Sequence, residues 1–268
     1  MKKYLCLTLM VSWAVPVFSQ TTAGGRAAGM AGAAANLSDI FAAFHNQAGL
    51  AGIEKFSIGI FNETSFMLSN VSTRGLAVAM PVSNGVITAQ FQYYGYAAYN
   101  EKRGGLAYAR KFGENIKAGL QLDYFGVAIG EGYGSRSAVT FEGGVQAELL
   151  EGFFLAAHVC NPMRVKIAAY NDERLPAILK FGLAYQPSDK VFITAESEKV
   201  IDRANRIKAG AEYEIVSKFF LRTGIASNPF NTSFGFGWMI DSFKVDLAAS
   251  YHRQLGYTPN VSLVWVAK

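Results

Sequence analysis

Cysteine is nearly missing from this chain. Its 268 residues contain only Cys6 and Cys160, and Cys6 falls in the opening segment that reads as a leader, so no intramolecular disulfide can form in the mature chain. Histidine is almost as sparse, and no two of His45, His158 and His252 stand at metal-ligand spacing on a shared face. Beyond the leader no run of 18 apolar residues occurs, which excludes a bundle of membrane-spanning helices although 51% of the chain is hydrophobic. Charge is scarce and mixed. The formal +5 falls to about +3 without Lys2 and Lys3, which leaves no footprint for nucleic acid.

What is present begins with that leader. Lys2 and Lys3 open it, residues 4–18 are mostly apolar, and Val17 and Ser19 supply small residues before Gln20. This is the pattern of a cleaved signal peptide over 1–19, with a mature chain starting near Gln20 or Thr21.

The rest is dominated by alternation. Arg206, Lys208, Gly210, Glu212 and Glu214 interleave with Ile207, Ala209, Ala211, Tyr213 and Ile215, giving a strand with one charged and one apolar face. Similar segments recur at about 54–62, 74–82, 85–97, 104–112, 115–128, 136–149, 152–160, 175–186, 190–200, 205–215, 217–226, 231–239, 242–253 and 259–267. Each is close to the length that crosses a bilayer when tilted. Connections after even strands are tight, marked by Asn84, Glu114, Glu151, Ser188, Val216 and Asp241, whereas those after odd strands are generally longer, as at 63–73, 130–135 and 161–175. With a secretory leader in front, this predicts an all-β fold: a transmembrane antiparallel β-barrel of about 14 strands over 54–268, in the outer membrane of a Gram-negative bacterium with its tight turns periplasmic. Outer-membrane lipid is then the first partner. Ile87, Phe91, Leu120, Leu122, Phe181, Leu183, Val245 and Leu247 should face it, with tyrosines such as Tyr93, Tyr124, Tyr185 and Tyr251 at the headgroup level.

Residues 20–53 differ from everything after them. They are rich in glycine and alanine, and Ser38 with Asp39 can cap a short helix running to about His45. Such a segment is expected to fold into the lumen as a hatch, or plug. The lumen should also hold a charge network. If the hairpin at 201–205 sets Glu198 opposite Arg206, then Glu196 faces Lys208; the turn before it sets Lys180 opposite Glu196, and the next hairpin brings Glu212 near Arg222. The signs are balanced, which favours a lattice bracing the wall over a charge-selective path. No catalytic constellation stands out: His158 and Cys160 read as barrel wall, and Lys117, Asp123, Glu142 and Glu148 face the lumen by parity alone. The expectation is a protein that is not an enzyme and has no metal or cofactor.

The hatch also carries a motif. Gly25-Arg26-Ala27-Ala28-Gly29-Met30-Ala31-Gly32-Ala33, then Ser38-Asp39, then His45-Asn46-Gln47-Ala48-Gly49-Leu50-Ala51 resembles the GxRxxGMGGA … NPAGLA amino-terminal signature of the FadL-like outer-membrane proteins, especially the PorV/PorQ branch. Gln47 stands where proline is common and Ala31 where glycine is. The resemblance implies a 14-stranded barrel with its amino-terminal segment inside. It also implies a function: either a structural or interaction component of protein secretion at the outer membrane (type IX), with secretion machinery or cargo protein as partners, or a transporter of small hydrophobic molecules. The short loops and balanced lumen favour the former.

Overall fold

The computed structural model describes residues 22–130, 134–167 and 173–268. The leader expected at 1–19 lies outside them, as do parts of the loops expected at 130–135 and 161–175. Fourteen antiparallel strands form the wall: β1 (Ser57–Thr64), β2 (Ser72–Val82), β3 (Gly85–Tyr96), β4 (Tyr99–Phe112), β5 (Ile116–Ile129), β6 (Gly134–Leu150), β7 (Phe153–Cys160), β8 (Ile178–Ser188), β9 (Val191–Val200), β10 (Arg206–Val216), β11 (Phe219–Ala226), β12 (Asn231–Ile240), β13 (Phe243–His252) and β14 (Gly256–Val266). Each pairs with its sequence neighbours, and β1 pairs with β14 to close the ring. Closure leaves no strand edge unpaired, the condition for placing a sheet in hydrocarbon.

The period-2 pattern sorts the faces. Leu120 is 69% exposed and Leu183 is 61% exposed, whereas their neighbours Gln121 and Ala184 are buried. Aromatic pairs sit near the tight turns at Phe56 with Trp265 and at Phe153 stacked on Tyr185, and near the loops at Tyr251 with Tyr257. Two aromatic levels flanking an apolar belt are the profile of a surface immersed in lipid.

The connections after even strands are tight, as at 83–84, 151–152 and 241–242, and the longest connections are on the other side, at 65–71 and 161–177. One differs from expectation. The loop anticipated around 98–103 is strand: Tyr96 pairs with Tyr99, leaving a two-residue turn. Its charged residues and the Gly104-Gly105 pair resemble a loop in sequence. Gly105 faces inward in this strand and leaves room for Asp123, Gln90 and Gln121, all within 2.8 Å of where a Cβ would stand.

The segment from Thr22 to Gly52 lies inside this ring and is buried almost throughout. It contains α1 (Gly25–Gly29) and two short 3-10 turns, Ile40–Phe44 and Gln47–Gly52. Asp39 caps the first, accepting from the Phe41 amide, and Asn46 caps the second, accepting from the Ala48 amide. The hatch is two-sided. Toward β1–β4 it is apolar: Ile40, Phe41, Phe44 and Leu50 pack on Phe61, Ala77, Ala79, Val86, Ala107 and Ala109, with Phe41 and Phe44 edge-on to Phe61 at 5.8 and 5.4 Å. Toward β5–β13 its contacts are mostly polar, around a smaller apolar cluster of Ala27, Met30, Ala34 and Leu37 with Phe192. Inward glycines make the room: a Cβ at Gly210 would meet Met30 at 2.4 Å, and one at Gly224 would meet the Met30 backbone at 2.4 Å.

Candidate functional site

The hatch divides the lumen. On the loop side a cavity of about 120 Å³ is lined by Phe44 and His45 of the hatch, by Phe125, Ile178 and Lys180 of the wall, and by Leu175 and Pro176 of the β7–β8 loop. On the tight-turn side a second cavity of about 260 Å³ lies between Arg26, Asn36 and Ser38 of the hatch and Lys117, Gln146, Gln186 and Phe192 of the wall.

The floor of the outer cavity is fastened by the charge network. Lys208 Nζ donates to Glu196 Oε1 at 2.9 Å, to Glu198 Oε2 at 2.8 Å and to the Gly32 carbonyl at 3.3 Å. Glu196 Oε2 accepts from the Ala34 and Ala35 amides at 2.9 and 2.8 Å. A wall carboxylate thus satisfies hatch amides that burial would otherwise leave unpaired. Arg26 Nη2 reaches Glu212 Oε1 at 2.7 Å and its Nη1 reaches Asp39 Oδ2 at 3.4 Å. Glu212 also receives Arg222, which extends to Asp246 Oδ1 at 2.7 Å. These acids oppose the burial cost and keep Arg26 charged, its pKa above the usual range.

His45 is the titratable group of the hatch core. Its Nε2 donates to the Ala23 carbonyl at 2.8 Å. Burial, with the nearby charge of Lys180, pushes its pKa down to about 4, so at neutral pH the ring is uncharged with its proton on Nε2.

The structure brings most of the residues singled out by sequence to the hatch and its wall. Ser38 Oγ lies 3.3 Å from both Gln146 Oε1 and Lys117 Nζ. Asn46 Nδ2 donates to Ala35 O at 2.8 Å and Val145 O at 3.3 Å. Gln47 Nε2 donates to Glu142 Oε1 at 2.6 Å and Ala43 O at 3.3 Å. Gly49 allows a close crossing, since a Cβ there would lie 2.1 Å from the Leu37 carbonyl oxygen. In the wall, Arg206 faces Glu198, Lys208 faces Glu196 and Glu212 faces Arg222.

One register expectation is corrected. Lys180 pairs with Glu198, and Gly182 takes the place opposite Glu196. β8 continues to Ser188 with a register shift before a two-residue turn, which moves its pairing by two residues. Lys180 Nζ is 3.9 Å from Glu198 Oε2. Arg206, although opposite Glu198, makes no ion pair among the described residues, because Lys208 has taken that carboxylate.

A second cluster escaped sequence reasoning. Arg103 bonds Asp123 at 3.0 Å and also Glu142, while Gln121 bonds both acids. His158 Nε2 lies 3.4 Å from Glu142 Oε2; His158 and Cys160 belong to wall strand β7 and are buried on its inner face beside this cluster. Arg103 was hidden in an expected loop. The parity of β5 and β6, which puts Asp123 and Glu142 inward, was the available signal.

No family model and no curated protein matches this chain. Solved structures do. The CymD monoaromatic hydrocarbon channel aligns over 91% of this chain and 97% of its own, with a TM-score of 0.67 at 13% identity. The Pseudomonas putida toluene transporter TodX covers 90% and 97%, with 0.66 at 13% identity. A Pseudomonas aeruginosa FadL homologue covers 91% and 98%, with 0.63 at 13% identity. The chain therefore has the fold of the FadL-like barrels.

Proposed function

We propose that this chain is an outer-membrane barrel of a Gram-negative bacterium that admits a small hydrophobic molecule to the cavity above its hatch. The observation that carries this reading is the cavity. Phe44, Phe125, Leu175, Pro176 and Ile178 give it an apolar surface, and at about 120 Å³ it approaches the roughly 150 Å³ of an apolar cavity that holds benzene. The names of the neighbouring structures, toluene transporter and monoaromatic hydrocarbon channel, point to ligands of that size. Because every neighbouring strand pair is hydrogen-bonded around the ring, onward passage requires displacement of the hatch toward the larger inner cavity or separation of two strands. The test is 19F NMR of fluorobenzene with protein in nanodiscs, against empty nanodiscs. Wild type should broaden and shift the line beyond the lipid background, and Ile178→Trp, which fills the cavity, should abolish the difference; an identical response to both proteins refutes the reading.

A second reading is a PorV/PorQ-like component that anchors or handles exported protein at the outer membrane. It is favoured by the closed wall and by a hatch tied down at Glu196, Glu212 and Glu142. Co-purification of secretion-machinery subunits from native membranes, absent when loops 65–71 and 253–255 are replaced, distinguishes it.

A further inference from the structure

The apolar wall of the outer cavity is only half of its surface. Five cationic side chains and two carboxylates border it, and their pairing is uneven. Arg103 is matched by Asp123 and Glu142 behind it, and Lys208 by Glu196 and Glu198. Lys180 and Arg206 are left to share Glu198, which Lys208 already holds at 2.8 Å. Lys180 stands 3.9 Å from that carboxylate, and Arg206, which also borders the cavity, makes no ion pair among the described residues. Across the cavity His45 is neutral, its charged form disfavoured by burial and by Lys180. On β8 to β10, Lys180, Arg206 and Lys208 face only Glu196 and Glu198, so the spare charge at this wall is positive.

We propose that the ligand of this cavity is a single-ring aromatic carboxylate, its carboxylate received by Arg206 and Lys180 and its ring set against Phe44, Phe125 and Ile178. This rests on the reading of the cavity as a small-molecule site and narrows the class from neutral hydrocarbon to amphipathic anion. Size limits the apolar part to about one ring, since the cavity is about 120 Å³. Charge selects the head group, since a guanidinium donates to a carboxylate through two parallel bonds whereas a neutral ring leaves Arg206 unmatched.

The experiment uses the whole protein in nanodiscs and 19F NMR titrations of 4-fluorobenzoate, fluorobenzene and 4-fluorobenzylammonium, with octanoate as competitor. The expected result is at least tenfold tighter binding of 4-fluorobenzoate than of the other two probes, and weaker competition by octanoate. Arg206→Gln should bring the preference for fluorobenzoate over fluorobenzene close to one, and Arg206→Lys should restore part of it; heat-modifiable gel migration reports that each variant is folded. Fluorobenzene binding as tightly as fluorobenzoate overturns the carboxylate assignment and leaves the small-molecule reading standing. Octanoate outcompeting fluorobenzoate overturns the limit to one ring. Absence of binding by all four compounds overturns both readings.

Discussion

Replacing Leu183 by arginine tests the assignment of faces. Leu183 lies midway along β8 on its outer face, 61% exposed and flanked across the strands by Leu155 and Ala195, so Leu183→Arg puts a cation into hydrocarbon. Near the bilayer midplane that costs roughly 2 to 4 kcal/mol, which falls toward zero at the interfaces. The control is Gln186→Arg, three residues along the same strand, where the side chain borders the inner cavity beside Lys117 and Glu148; a substitution away from tight packing should stay within about 0.5 kcal/mol. Both variants are folded into unilamellar vesicles, and stability is read from urea titrations followed by tryptophan emission and heat-modifiable migration. Leu183→Arg should lower the urea midpoint by an amount equivalent to about 3 kcal/mol, with little change for Gln186→Arg. Equal stability of Leu183→Arg and wild type, or a larger loss at Gln186, would mean that the faces are inverted.

Gly224→Val should overpack the hatch, because its first added carbon would lie 2.4 Å from the Met30 carbonyl carbon and 2.6 Å from the Ala31 nitrogen. The cost is about 1 to 3 kcal/mol, seen as faster proteolysis of residues 22–53 in a barrel that still resists unfolding. Arg26→Met removes the tie to Glu212 and Asp39, worth about 1.5 to 3 kcal/mol for hydrogen bonds to charged groups, and should raise ion conductance in planar bilayers. The His45 pKa is about 4 inside the hatch and 6.5 when free, so the displaced hatch takes up the proton first as pH falls. Seating of the hatch is then fully stable above 6.5 and weakens progressively down to about 4. Conductance should rise across that window, and His45→Gln should flatten the rise.

Most of the wall was legible because alternation survives in it: Ile207 to Ile215 point outward and Arg206 to Glu214 inward from one short stretch of sequence. Parity alone does not fix register. Lys180 shifted by two residues because the β8–β9 turn is tighter than its Pro187-Ser188-Asp189 chemistry suggests. The cluster of Arg103, Asp123 and Glu142 joins strands distant in sequence, so its members are visible one by one but their meeting is not. The hatch was legible through its Ser38-Asp39 cap and its polar motif at 45–47, whereas the Asn46 cap of the second turn was not. Its apolar side was not, since Ala77, Ala79, Ala107 and Ala109 are too small to mark a core until Phe41 and Phe44 are placed against them. The outer cavity itself depends on the β7–β8 loop folding Leu175 and Pro176 over the lumen, which no local pattern records.

The most direct test of the central claim is to locate a bound ligand. Crystals of the whole protein soaked in bromobenzene should give a bromine anomalous peak inside the barrel, between Phe44, Phe125 and Ile178 above His45. Bromine found only along the outer face beside Leu120 and Phe181, with none in the cavity, would contradict the account.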